Sequence, residues 1–284
     1  MKPFLDAPPR SPDFLCIGAQ KSGTTWLHAN LTHHPRIWMP PVKELQYFNQ
    51  VHIPAHRSWT QEHRDSHAMR SLSSYVRNND PLNLHYVRLL TLITMRGVDD
   101  DWYREIFAAA GSKIAGEMTP EYSLLDDTGI AHILGLAPDA RFIFMMRDPI
   151  ERCWSHVRMI HHRTPPCGIP LEELALLDDI CDRADYPAIL DRWRRHVPGD
   201  RLLTLFMDDV ARRPLDLLRE TIGFLGLDFD PALFPQAQKK VHEGEALDIP
   251  DGIYERMKER FRPVYDRLAD EFPDVAVSWR ARHF

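Results

Sequence analysis

Four side chains that can bind an anion stand close together near the start of the sequence: Lys21, Ser22, Thr24 and Thr25. They belong to the segment Gly18–Thr25, which follows a short apolar run and precedes a helical pattern. A glycine-rich turn between a strand and a helix directs backbone N–H groups, and the positive end of the helix dipole, towards an anion. Lys21 adds a full charge, and the hydroxyls add hydrogen-bond donors. The segment predicts a phosphate site in preference to a turn that only caps a helix.

This loop differs from the loop that binds nucleoside triphosphates, whose pattern is G-x-x-x-x-G-K-[ST]. Gly18 and Gly23 keep the spacing of the two glycines, but Thr24 stands where that pattern has lysine, and Lys21 precedes the second glycine. No convincing Mg²⁺-binding aspartate follows a later strand, and Glu117 is the nearest candidate. A site for a single 5′-phosphate therefore fits the loop better than a site for ATP.

A second candidate anion site consists of Arg147, at the end of the apolar run 141–146, and Ser155, two turns into the next predicted helix. Ligands of parallel α/β sheets gather at the carboxyl ends of the strands, so Arg147 should face the same crevice as Lys21. The fork of an arginine suits a phosphate dianion. The alternative is that Arg147 caps carbonyls or pairs with Asp148.

Strands and helices that alternate along the chain must position these residues. Short apolar runs without alternation are typical of strands buried on both faces, and they are predicted at residues 14–17, 113–117, 142–146 and 202–207. Asp148, Pro149 and Glu151 mark a helix start. Further helices are predicted at residues 187–196, 214–225 and 252–271. The pattern predicts a three-layer α/β fold with a central parallel sheet.

Composition narrows the class of protein. The chain has 284 residues, 44% of them hydrophobic, and a formal net charge of −6, which excludes a disordered or disulfide-stapled chain and argues against a nucleic-acid partner. No apolar run approaches the roughly 18 residues of a membrane span. The cysteines show no C-x-x-C spacing and are interpreted as reduced thiols: Cys16, Cys153, Cys167 and Cys181. These features predict a cytoplasmic protein.

Together, the two anion motifs resemble those of sulfotransferases that use 3′-phosphoadenosine 5′-phosphosulfate (PAPS). In that family K-x-G-T-T binds the 5′-phosphosulfate, and R-x-P-x-x-R-x-x-S binds the 3′-phosphate; residues 21–25 and 147–155 match these patterns. The resemblance implies a P-loop NTPase-like fold with PAPS as co-substrate and 3′-phosphoadenosine 5′-phosphate (PAP) as product, and it requires no metal. It implies that the nucleotide is bound by Gln20, Lys21, Ser22, Gly23, Thr24, Thr25, Arg147 and Ser155.

Further blocks resemble the branch typified by heparan sulfate sulfotransferases. They are residues 43–49, 101–103, 117–122 and 224–227. The matches predict one sulfotransferase domain over residues 1–284. Within it we distinguish a motif-bearing core at 13–230, an insertion of short helices and loops at 50–97, and a C-terminal loop and helix at 231–284.

The resemblance assigns the general base of the reaction to Glu44, which matches the acidic residue of that branch's E-x-x-F-F segment. Two alternatives remain open: Glu44 pairs with Lys43 on the surface, or a histidine is the base. Lys43 is also a candidate to face the sulfuryl group beside Lys21. Lys240, in a late basic cluster, is a candidate for the 3′-phosphate, and a solvated charge run is the plainer interpretation of that cluster.

The predicted function is transfer of a sulfuryl group to a hydroxyl or amine of a small acceptor, such as a sugar, glycolipid or secondary metabolite, with Lys21 and Glu44 as catalytic residues. Two alternatives are a P-loop kinase that uses ATP and a nucleotide-binding module without catalysis. An aromatic set either lines the acceptor pocket or belongs to the core: Tyr47, Phe48, Trp59, Tyr75, Tyr86, Trp102 and Tyr103.

Overall fold

A five-stranded parallel sheet lies at the centre of the computed structural model, which describes residues 7–78, 81, 83–162, 168–239 and 247–284. The strand order is β2-β3-β1-β4-β5, and every neighbouring pair is parallel. The strands are β1 (Phe14–Gly18), β2 (Ile37–Trp38), β3 (Ile114–Met118), β4 (Arg141–Met146) and β5 (Leu202–Phe206). The predicted α/β fold with a central parallel sheet is confirmed. The two-residue strand β2 was not predicted.

Helices cover both faces of this sheet. They are α1 (Thr24–Leu31), α2 (Tyr47–His52), α3 (Thr60–Asn78), α4 (Leu84–Ile93), α5 (Asp100–Phe107), α6 (Asp127–Leu136), α7 (Pro149–His161), α8 (Leu171–Leu174), α9 (Asp178–Cys181), α10 (Tyr186–Arg194), α11 (Met207–Arg212), α12 (Pro214–Phe224), α13 (Asp251–Glu271) and α14 (Pro273–His283). The start of α7 is as the sequence predicts, since the Asp148 side chain accepts a hydrogen bond from the Glu151 N–H.

The core has two parts, one on each face of the sheet. Successive residues of β1 point to opposite faces, so Phe14 and Cys16 pack with α1 and α12, whereas Leu15 and Ile17 pack with the larger group of helices that includes α7, α10 and α13. Strands that are buried on both faces need apolar residues at every position. This requirement explains why their runs were recognisable in the sequence.

The central position of β1 brings the two predicted anion motifs together. β1 lies between β3 and β4, and Gly18 at its end is level with Phe144. A Cβ atom at Gly18 would come within 3.0 Å of the Ser123 Cβ atom and 3.1 Å of the Phe144 ring, so the chain passes here only as glycine. The loop after β1 and the residue after β4 therefore lie at the same edge of the sheet.

The prediction for residues 50–97 was wrong in part. We expected short helices and loops, but α3 is a helix of 19 residues that carries polar side chains along most of its length. It lies beside α4, and its buried Arg64 donates to the Leu45 carbonyl and to the Gln50 amide oxygen, so the helix obtains little of its stability from an apolar stripe. The weak periodicity of the segment hid a helix of this kind.

The helix predicted at residues 252–271 is present as α13, which begins one residue earlier, at Asp251. Pro263 lies inside it. No helix of the described residues is long and apolar enough to cross a membrane. Cys16, Cys153 and Cys181 are buried free thiols, whereas Cys167 lies outside the described residues.

Candidate active site

The loop between β1 and α1 leaves the first N–H groups of α1 without a side-chain cap. Its last residue, Gly23, has a φ of 91° and precedes the eight-residue helix, and no side chain accepts a hydrogen bond from the helix N-terminus. Lys21 also has a left-handed backbone, with a φ of 70°. An uncapped N-terminus directs several N–H groups and a partial positive charge at an anion. Ser22 and Thr24 are buried in the same turn, and Gln20, Lys21 and Thr25 are half-buried.

Four further cations lie close enough to Lys21 to affect its pKa. Burial lowers the pKa of the Lys21 ammonium, and the charges of Arg147, Arg158, Arg152 and Lys43, in that order, lower it further. We call these five side chains the cationic cluster. Like charges accumulate in a partly buried site only at an electrostatic cost, which a bound anion would remove. The cluster brings together side chains from the loop, from the start and middle of α7, and from the residues before α2.

Arg147 leads from β4 into α7 and is fixed through its backbone. The Tyr186 hydroxyl donates to the Arg147 carbonyl at 2.7 Å, and the Arg147 N–H reaches the same hydroxyl at 3.3 Å. Its guanidinium contacts the Glu151 carboxylate at 3.2 and 3.3 Å, rather than Asp148. Glu151, Ser155 and Arg158 are spaced along α7 so that they share one helix face.

Glu44 lies in the turn before α2, with a φ of 67°. The Lys43 ammonium donates to a Glu44 carboxylate oxygen at 2.8 Å and to the Thr25 hydroxyl at 3.1 Å. The Gln46 amide donates to the other Glu44 oxygen at 3.2 Å. The expected alternative pairing of Glu44 with Lys43 is therefore present. It is not on an open surface, since the two side chains are 20% and 16% exposed.

Opposing effects set the charge of Glu44. Burial acts to raise the pKa of its carboxyl, but the charge of Lys43, the hydrogen bond from Lys43 and the charges that His63 and His67 carry when protonated at low pH outweigh burial, and the pKa is below its ordinary value. The carboxylate therefore stays ionised at neutral pH. Thr25, Lys43 and Glu44 form a continuous link from the phosphate loop to the candidate base.

A buried carboxylate below this turn holds it in place. Glu117, at the end of β3, accepts hydrogen bonds from the hydroxyls of Tyr103 at 2.6 Å, Tyr122 at 2.9 Å and Thr119 at 2.9 Å. It also accepts a longer one, at 3.4 Å, from the Leu45 N–H. Burial raises the pKa of Glu117 despite these hydrogen bonds. Its position is that of a satisfied buried carboxylate that orients the neighbouring turn.

Two histidines of α3 stand beside Glu44. The His63 Nε2 atom is 3.9 Å from a Glu44 carboxylate oxygen, and the His63 ring stacks on His67 with ring centroids 4.1 Å apart. Burial, then the charges of His63 and Arg70, lowers the pKa of His67 to about 4. Burial is also the main reason that the pKa of His63 is lowered. Both rings are therefore neutral at pH 7.

The structure adds residues that the sequence analysis did not assign. Arg152 and Arg158 belong to the cationic cluster, and Arg152 is completely buried, with its Nη2 atom 3.1 Å from His156 Nδ1. Arg152 is part of the matched R-x-P-x-x-R-x-x-S pattern, and Arg158 follows Ser155 by one helical turn, so both could have been found from spacing. His63 is distant in sequence from Glu44, and no local pattern indicates it.

Several predicted features are placed differently or not at all. Four residues of the aromatic set are core residues packed on one another, with Tyr47 and Tyr103 stacked at 5.1 Å: Tyr47, Phe48, Trp102 and Tyr103. Lys240 lies outside the described residues. Across the described parts of the chain, no group of three or more His, Cys, Asp or Glu side chains could hold a metal ion.

Comparisons with known proteins agree with this geometry. The sequence model of the Sulfotransferase family matches residues 12–231. The chain is 27% identical over 238 residues to the nodulation protein NoeE of Sinorhizobium fredii, a match of 76% of this chain and 50% of that protein. It is 26% identical over 172 residues to the membrane-associated sulfotransferase kil1 of Dictyostelium discoideum, a match of 57% of this chain and 27% of that protein. The chain thus spans half or less of these curated relatives.

Solved structures show the same fold. A sulfotransferase from Alicyclobacillus acidocaldarius has a TM-score of 0.64 at 21% identity, with 95% of this chain and 98% of that chain covered. Mouse sulfotransferase SULT7A1, solved in complex with PAP, has a TM-score of 0.54 at 12% identity, with 97% and 90% covered. The family match covers most of the chain. The chain belongs to the sulfotransferase family.

Proposed function

We propose that this protein transfers the sulfuryl group of PAPS to a hydroxyl or amine of a small acceptor, such as a sugar, glycolipid or secondary metabolite, and releases PAP. The observation that carries the proposal is the link from the phosphate loop through Lys43 to Glu44. A single side chain, Lys43, thus contacts both the loop expected to bind phosphate and the ionised carboxylate expected to act as the base. Membership of the sulfotransferase family and the PAP complex of a similar structure support the donor.

In this proposal the cationic cluster holds both ends of the nucleotide. The N–H groups at the start of α1, with Lys21, Ser22, Thr24 and Thr25, bind the 5′-phosphate and the sulfuryl group. Arg147 and Ser155 bind the 3′-phosphate at the other end of the cluster. Fixed cations and N–H groups stabilise charge that develops on the sulfuryl oxygens and on the leaving phosphate, and they need no reorganisation during the reaction.

Glu44 acts as the general base. In an in-line displacement at sulfur, the acceptor oxygen or nitrogen attacks, the bond from sulfur to the leaving phosphate oxygen breaks, and the proton of the acceptor goes to Glu44. Because the pKa of Glu44 is below its ordinary value, the group is an unprotonated carboxylate at neutral pH and has a free site for this proton. General-base catalysis of this kind contributes ~10²–10⁴-fold to the rate.

Lys43 connects the two sides of the reaction. Its ammonium is shared between the Glu44 carboxylate and the Thr25 hydroxyl. When Glu44 takes up the proton, Lys43 loses the negative charge of its partner. Its own charge then favours the sulfuryl oxygens and the leaving phosphate, at the moment when negative charge increases there.

The experiment that tests this function measures transfer of a labelled sulfuryl group from PAPS to a panel of phenols, sugars, glycolipids and amines, together with release of PAP. Lys21→Ala is expected to lower kcat ~10²–10³-fold, the usual loss when one stabilising donor is removed. The control Lys113→Ala changes an exposed lysine before β3 and should retain full turnover. Equal rates for wild type and Lys21→Ala would contradict the proposal.

The identity of the acceptor, the heparan-type branch, a single domain over residues 1–284 and the cytoplasmic location stay predictions from the sequence. One feature of the site bears on the acceptor. The stacked rings of His63 and His67 are half-buried beside the Glu44 carboxylate, so we expect an acceptor bound at Glu44 to lie near them. The acceptor panel should therefore include compounds whose polar groups can hydrogen-bond to neutral imidazole.

A further inference from the structure

A row of alternating charges connects helix α14 to the predicted 3′-phosphate site. Asp208 forms a close ion pair with Arg282 of α14. The Arg282 Nη1 atom is 3.1 Å from the Glu151 Oε1 atom. The other oxygen of Glu151 contacts Arg147 at 3.2 and 3.3 Å. Glu151 therefore lies between two arginines and uses a different carboxylate oxygen for each.

Other contacts fix α14 at this place. The His283 Nε2 atom is 2.9 Å from the buried carboxylate of Asp148, which is the residue next to Arg147. The Trp279 indole N–H donates to Asp208 at 2.9 Å, and its ring is buried. Trp279 and His283 thus anchor α14 on both sides of Arg282, so the backbone that carries the Arg282 guanidinium is held in place beside Glu151. The row does not depend on a freely moving surface side chain.

Partial burial strengthens the electrostatic interactions within this row of charges, and therefore their effect on phosphate binding. The exposed fractions of the Arg147, Glu151 and Arg282 side chains are 19%, 38% and 30%. Charges that are half withdrawn from water are screened less than exposed ones. A phosphate that takes Arg147 as its partner removes one of the two cations from Glu151 and brings its own negative charge close to that carboxylate.

We propose that Arg282 is a positioning residue for the 3′-phosphate of the nucleotide: it holds and neutralises Glu151, so that Arg147 can turn from Glu151 to the phosphate. This inference rests on the proposed use of PAPS. Arg282 itself does not touch the ligand. Without it, Glu151 would keep Arg147 as its remaining cation, and an incoming phosphate would meet an uncompensated carboxylate beside its binding group.

The test measures the dissociation constants of PAP and ADP by calorimetry for wild type, Arg282→Gln, Glu151→Gln and the double variant. Arg282→Gln should weaken PAP about fivefold, the size of a partly exposed ion pair. Glu151→Gln should tighten PAP by about the same factor, since it releases Arg147. In the double variant, Arg282→Gln should have no further effect, because its partner is gone. ADP, which has no 3′-phosphate, should bind all four proteins equally.

The matched control is Arg280→Gln, which removes another ion pair of α14, that with Asp266, and should leave PAP binding unchanged. The inference is overturned if Arg282→Gln weakens ADP as much as PAP, or if its effect is the same with and without Glu151. If Arg282→Gln does not fold, Arg282→Met, which keeps more of the apolar stem, takes its place, and its loss of PAP affinity must again disappear in the Glu151→Gln background. Failure of the proposed function itself is a different result, namely a wild-type protein that does not bind PAP.

Discussion

Two sides of the candidate site balance their charges differently. The phosphate side, formed by residues 18–25 and α7, collects cations, and the pKa of Lys21 is lowered by burial and then by the charges of these neighbours. The Glu44 side, formed by residues 43–46 and α3, pairs its carboxylate with Lys43 and surrounds it with neutral imidazoles. A cluster of cations suits a site that binds a polyanion. The Lys43–Glu44 ion pair suits a site where a carboxylate takes up and releases a proton during turnover.

The backbone of the two sides is more alike than their charges. Lys21 has a φ of 70° and Glu44 has a φ of 67°, and both are non-glycine residues in left-handed conformation. Such conformations cost of order 1–3 kcal/mol and are commonly found at functional sites. In both cases the residue in the left-handed conformation is the one that we propose as catalytic. Because the charges of the two sides differ, we expect substitutions on the phosphate side to weaken nucleotide binding and substitutions on the Glu44 side to lower turnover.

The largest expected effect is loss of turnover in Glu44→Gln, by ~10²–10⁴-fold in kcat. Gln retains the shape of the side chain and a partner for Lys43 but cannot take up the proton. PAP binding should change little, because the phosphate side is intact. Steady-state kinetics and PAP calorimetry on the same preparation give both values, with the exposed Glu62→Gln of α3 as control. A Glu44→Gln protein with near-normal kcat would show that another residue is the base.

Arg147→Ala should produce the opposite defect. A hydrogen bond to a charged group is worth about 1.5–3 kcal/mol, so the dissociation constant of PAP should rise by roughly 10- to 150-fold. ADP should bind as it does to wild type. Calorimetry with the two ligands separates the loss of one phosphate contact from general damage to the site. If PAP and ADP weaken equally, Arg147 does not read the 3′-phosphate, and the division into two sides needs revision.

A smaller effect is expected at the boundary between the two sides, where His28 of α1 lies half-buried near Lys43 and Glu44. Burial, and then the charge of Lys43, lowers the pKa of His28 to about 4. The unfolded chain binds this proton near pH 6.5, so the free energy of unfolding should fall as the pH drops from 6.5 towards 4, and it should level off below 4. Between pH 7 and pH 5 the contribution of this one group is about 2 kcal/mol.

Chemical denaturation at several pH values measures this contribution. His28→Gln should flatten the decline between pH 7 and pH 5, whereas His33→Gln, at an exposed position after α1, should leave it as in wild type. An unchanged pH dependence in His28→Gln would mean that the ring takes up its proton as readily in the folded protein as in the unfolded chain. The boundary between the two sides would then carry a positive charge below about pH 6.5.

The phosphate side could be predicted from the sequence because its parts are contiguous. Residues 18–25 form one strand–loop–helix unit, and Arg147 and Ser155 belong to another, so spacing alone places their side chains. The strands were recognisable because burial on both faces requires unbroken apolar runs. Parallel pairing of β1 with β4 then brings the two units to one edge.

Glu44 was assigned by resemblance, but its surroundings were not predictable. The Leu45 N–H is bonded to Glu117, 72 residues later, and Arg282 contacts Glu151 across 131 residues. Helix α3 was misjudged because its polar sequence lacks the apolar stripe by which a helix is usually recognised. Contacts of this kind depend on how elements pack, which a local pattern does not contain.

The most direct test of the account is thermal unfolding of the wild-type protein with PAP, with ADP, and with ATP plus Mg²⁺. At a hundred times its dissociation constant, a ligand of the folded state adds about 2.7 kcal/mol to the free energy of unfolding. We expect PAP to raise the unfolding temperature clearly more than ADP at equal concentration, since it alone uses the cationic cluster at both ends. Stabilisation by ATP with Mg²⁺ and none by PAP would contradict the account and indicate a kinase.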